Sequence, residues 1–104
     1  MNYRLTPQAK RDIARADAWW AQNRPEAPTA VLDEVGFALE QVISQPESGV
    51  AYASRKRGLV RRLPLPTTKR HLYYTVVDGI IVVLRVCGAE RGASPRFGKK
   101  QLLM

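Results

Sequence analysis

The stretch "HLYYTVVDGIIVVLRV", residues 71–86, decides the fold. Two apolar arms meet at Asp78-Gly79, a dipeptide suited to the positive φ angles of a two-residue type I′ turn. The stretch therefore reads as a β-hairpin, with strands over about 70–77 and 80–87. Pairing Val77 with Ile80 and running outward puts His71, Tyr73, Thr75, Val77, Ile80, Val82, Leu84 and Val86 on one face. Leu72, Tyr74, Val76, Ile81, Val83, Arg85 and Cys87 fall on the other. Helices can cover only one of these faces, and the period-two pattern does not say which. Either choice leaves several large apolar residues on the second face. Such a patch marks a binding surface, unless Leu102–Met104 or the loop at Val50–Tyr52 folds over it. Both readings stay open at this point.

Working outward, Asn2–Leu5 alternates in polarity and predicts a first strand. Thr6-Pro7 supplies a hydroxyl N-cap and a proline at the first helical position. The apolar positions Ala9, Ile13, Ala16 and Trp20 then trace one helix face, and Asn23-Arg24-Pro25 ends it. A second helix is expected to start between Glu26 and Thr29 and run to about Ser44. Its stripe is Val31, Val35, Ala38, Leu39 and Val42, with Leu32 and Ile43 at the margins. Gly36 inside it costs about 1 kcal/mol relative to alanine, which close packing against a neighbour would explain. Residues 49–58, "GVAYASRKRG", read as an irregular basic connection. Leu59–Leu65 predicts a strand, and Pro64 implies that it lies at a sheet edge or stops before the proline. The fold class is α+β, β-α-α-β-β-β, with a helical hairpin on one face of a mostly antiparallel sheet. Residues 1–104 form one domain, with a glycine-rich, basic C-terminal segment over 88–104.

Composition narrows the function. Apolar residues make up 45% and charged residues 25%, as in an ordinary globular protein. The polar start predicts no signal peptide, and the longest apolar run is too short to cross a bilayer, so the expected setting is the cytoplasm. The net charge of +8 is unevenly placed. Residues 1–50 hold five basic and seven acidic side chains, whereas residues 51–104 hold twelve basic and two acidic ones. A basic half of this kind attracts polyanions or an acidic protein.

Most enzymatic signatures are missing. One histidine and one cysteine exclude the common zinc spacings, so no metal and no cofactor is expected. Cys87 reads as a small buried hydrophobe. There is no P-loop, GxGxxG or GxSxG pattern. Asp12, Asp17, Asp33, Glu34 and Glu40 read as exposed helix charges. The cationic set that could meet a target or a nucleic acid is Arg55, Lys56, Arg57, Arg61, Arg62, Arg91 and Arg96. Guanidinium groups bind phosphates in bidentate fashion. His71 is the only side chain whose unshifted pKa suits proton transfer near neutrality, although a lone histidine on a strand is more often structural.

The opening "YRLTPQAKRDI", then "WWAQNRPEAP", "QPESG", "GLVRRLPL", the hairpin and "ERGASP" together resemble the RelE/ParE superfamily of type II toxin–antitoxin toxins. The likeness runs over nearly the whole chain. It implies the same helical hairpin on a sheet, and a cognate antitoxin whose extended acidic or amphipathic segment wraps the toxin. Trp19, Tyr73 and Leu84 are the residues it suggests for antitoxin contact. RelE-like members cut mRNA on the ribosome; their catalytic positions would fall on Arg62, His71 and Arg91. Pro64 and Phe97 depart from that pattern, the first lacking a cation and the second a hydroxyl. The resemblance therefore favours the ParE-like branch, which binds DNA gyrase without needing a nuclease set. An inactive relic or a basic RNA-binding module is the remaining reading.

Overall fold

A computed structural model describes residues 2–55 and 58–88, with only the backbone at 54 and 55. The elements are β1 (Tyr3–Leu5), α1 (Pro7–Asn23), α2 (Ala30–Ser44), β2 (Val50–Arg55), β3 (Gly58–Leu65), β4 (Arg70–Val77) and β5 (Ile80–Cys87). The α+β class and the order of strand, two helices, then strands are as expected. The segment taken for an irregular connection instead contributes β2, paired antiparallel to β3. The sheet order is β1-β5-β4-β3-β2. All neighbours are antiparallel except β1, which runs parallel to β5.

The hairpin forms at the expected residues. Asp78 (φ 51°) and Gly79 (φ 75°) both take positive φ, the conformation that a type I′ turn requires. From Val77↔Ile80 to Tyr74↔Val83 the pairing is as read. Then a bulge intervenes: Tyr73 faces Arg85, leaving Leu84 as the extra residue. An extra residue reverses the in–out alternation beyond it. Val86 accordingly joins Leu72, Tyr74, Ile81 and Val83 on the helix side, while Cys87 packs on the opposite face. The sequence reading had placed Val86 and Cys87 the other way round.

Helix α1 starts as the Thr6-Pro7 pattern predicts. Thr6 Oγ1 accepts from Ala9 N (3.0 Å) and donates to Leu84 O (3.0 Å), while Thr6 N donates to Val83 O (3.1 Å). One residue thus closes β1 and opens α1. The stripe of α2 is buried as expected. Gly36 is not tightly packed: a Cβ there would meet nothing within 4 Å. Pro64 lies within β3, opposite His71, but β2 pairs with β3 only over 58–62. The proline therefore occupies the half of β3 that has no neighbour on that side, where a missing donor costs no ladder bond.

The main core joins the α1 and α2 stripes to the helix-side residues of the sheet. Glu34 fastens α2 to the β3–β4 turn by accepting from Thr67 N, Thr68 N and Thr68 Oγ1 at 2.7–2.9 Å. Burial alone would raise its pKa, but these donors outweigh it and hold the carboxyl below its ordinary value. Asp12 is not the exposed charge that its helix position suggests. It is buried and accepts from Arg85 Nε (2.7 Å), Arg85 Nη2 (3.3 Å) and Val86 N (3.0 Å). Strand β1 pairs with β5 only as far as Val83, so the next stretch of that sheet edge takes its acceptor from α1. Among the described residues, no helix is long and apolar enough to cross a membrane.

Candidate functional site

The second face of the sheet carries Val60, Tyr73, Val82 and Leu84, against which Tyr52, Ala53, Val77 and Cys87 pack. The expectation of an open apolar face is not met at these four residues, none more than 1% exposed. Of the two covers considered, the Val50–Tyr52 segment does contribute, through Tyr52; Leu102–Met104 lies outside the described residues. Tyr73 and Leu84, expected at an antitoxin interface, are inaccessible here. Trp19 is 47% exposed and remains available to a partner.

The polar groups on this face gather around Arg62. Its guanidinium lies 5.4 Å from the centroid of the Tyr52 ring, within reach of a cation–π attraction. Tyr73 is its cross-strand partner. Tyr52 meets Tyr73 edge-on, with ring centroids 5.0 Å apart, and His71 approaches Tyr73 at 6.1 Å. Tyr73 has its pKa raised by burial and by Cys87 and Tyr52, only partly countered by Arg62. His71 has its pKa lowered, by burial first and then by the charge of Arg62. It is therefore neutral near pH 7, and its buried Nδ1 has no hydrogen-bond partner among the described residues.

This arrangement brings two expected catalytic residues, Arg62 and His71, onto one face. Arg91 lies outside the described residues, as do Lys56, Arg57 and Arg96. Arg55 ends β2. Arg61 does not join Arg62: the strand alternation points it to the helix side, where Nη1 donates to Gly49 O at 2.8 Å. There it braces the loop after α2, together with Tyr74, whose hydroxyl accepts from Gly49 N and donates to Pro46 O. A stacked guanidinium beside a neutral imidazole can contact an anion. The sequence reading named Tyr52 only as part of a loop that could cover this face and not as a neighbour of Arg62, although the alternation of Val50 and Tyr52 with alanines in "VAYA" was a legible strand signal. No group of three or more His, Cys, Asp or Glu side chains suited to a metal occurs among the described residues.

Comparison with known proteins gives three findings. No curated protein matches the chain. One similar solved structure is titled "Chromosomal ParDE TA system from P. aeruginosa"; it shares 24% identity and a TM-score of 0.60, covering 86% of this chain and 97% of the other. That likeness supports the fold. The family model described as "ParE toxin of type II toxin-antitoxin system, parDE" matches residues 3–92. The match takes in every strand and both helices, and on it the chain belongs to the ParE toxin family of type II toxin–antitoxin systems.

Proposed function

We propose that this toxin arrests growth by binding DNA gyrase and is neutralised by a cognate antitoxin. Family membership supports the binding mode of action, and one structural observation carries the choice against RNA cleavage. Arg62, the sheet cation that a nuclease would need, lies over the Tyr52 ring. Beside it His71 faces Pro64 rather than a second cation. General acid–base cleavage needs a base within hydrogen-bond reach of its substrate and a charge-stabilising group aimed at the phosphate. Here Pro64, opposite His71, carries no charge to offer a phosphate. The basic half of the chain instead steers the toxin towards an acidic target surface.

The deciding assay compares the purified full chain in a gyrase supercoiling reaction and in ribosome-programmed translation. Inhibited supercoiling with intact mRNA supports this reading. Cuts in the message that vanish in Arg62→Ala would transfer the chain to the nuclease mode. Growth arrest on induction, relieved by the product of a neighbouring reading frame, supports the antitoxin; absence of arrest points to a relic or an RNA-binding module.

A further inference from the structure

A groove of about 360 Å³ runs between α2 and the half of β3 that has no strand beside it among the described residues. Asp33, Phe37 and Gln41 form one wall at helical spacing. Pro64 and Pro66 stand exposed along the other, and neither has an N–H to offer. Phe37 is 71% exposed, the most open of the large apolar side chains described. An aromatic ring left in water beside an apolar channel marks a contact surface.

The charge here is opposite to that of the molecule. Residues 25–54 hold five carboxylates, Glu26, Asp33, Glu34, Glu40 and Glu47, and no lysine or arginine, within a chain of net charge +8. Asp33 and Glu40 flank Phe37 one helical turn away on either side. Both are exposed, and neither forms an ion pair among the described residues. Glu34, deeper in the groove, is held by Thr67 and Thr68. Those donors are neutral, so its negative charge stays. An acidic segment is repelled by such a site, and so are the phosphates of a nucleic acid. The occupant that fits brings lysine or arginine to Asp33 and Glu40 and an apolar side chain to Phe37 and the prolines.

We propose that this groove docks a basic, apolar segment of a partner protein, with Phe37 as its anchor and Asp33 and Glu40 as its charge contacts. Its sign is opposite to that of a surface that takes an acidic antitoxin segment, and the inference does not depend on how growth is arrested. The test titrates a short fluorescein-labelled peptide of alternating lysine and leucine with the full chain and reads its anisotropy. A saturable rise is expected. Phe37→Ala weakens binding by about tenfold or more, as loss of a hot-spot side chain does. Because that ring is exposed, the fold survives its removal, and a circular dichroism melt checks this. Leu32→Ala removes the other exposed apolar residue of α2, outside the groove, and changes binding by about twofold or less. A matched peptide of serine and leucine binds about fivefold more weakly, the scale of two exposed ion pairs. A flat titration, equal losses in Phe37→Ala and Leu32→Ala, or equal binding of the two peptides each overturns the assignment. So does self-association of the chain, read by light scattering, that Phe37→Ala abolishes, because the groove then belongs to a second copy.

Discussion

Asp12 shows how much one side chain can settle. It lies on a helix yet completes a sheet, supplying the acceptor that the short β1 leaves missing beside Val86. Removing one member of a buried ion pair strands the other charge, and Asp12→Ala also orphans the Val86 N–H. The expected loss is about 3–5 kcal/mol, read from urea unfolding midpoints. Helix periodicity could not reveal this role, because the need for an acceptor arises on a strand 74 residues away. His71 gives a prediction of opposite character. Its pKa in the folded chain is below the ordinary 6.5, so the unfolded chain takes up its proton first. Stability is therefore full above that value and falls as pH drops through 6.5 towards the folded pKa. Thermal melts across this range should show the step, and His71→Gln should flatten it. The sequence showed that His71 could titrate, but not which way burial and Arg62 would push it.

Elements were read best where turn chemistry and periodicity agreed. Thr6-Pro7 and Asp78-Gly79 placed a helix start and a hairpin at the right residues, since caps and positive-φ turns are local demands. The bulge at Leu84 was invisible, because a one-residue slip is set by how a strand meets its partner and its helix, not by its own pattern. Strand β2 was passed over for its small and basic residues, although pairing with β3 is what orders it. Two glycines that precede β2, Gly36 and Gly49, should respond with opposite signs. Gly36 sits in the interior of α2 with open space around it, so Gly36→Ala should stabilise by about 1 kcal/mol. A Cβ at Gly49 would come within 2.9 Å of the Tyr74 ring and hydroxyl and 3.1 Å of Arg62 O. Gly49→Ala should destabilise by about 1–3 kcal/mol, the usual scale of overpacking. Denaturant midpoints of the two variants check both signs.

At the scale of the whole molecule, charge and topology govern behaviour. The concentration of cations in residues 51–104 was plain from the sequence; the gathering of Arg15, Trp19 and Arg70 into one cleft was not, since it joins α1 to the start of β4. If association with an acidic partner is steered by this charge, its on-rate should fall by about tenfold or more from low to physiological salt, where the Debye length is about 8 Å. Stopped-flow tryptophan emission measures it. The parallel pairing of β1 with β5 has a further consequence, in time. Thr6 bonds Leu84 across 78 residues of chain, so the first strand waits for the last. At about 5–20 residues per second of synthesis, that wait is roughly 4–16 s. Until translation reaches the final strand, β1 has nothing to pair with, and the sheet stays unfinished at that edge.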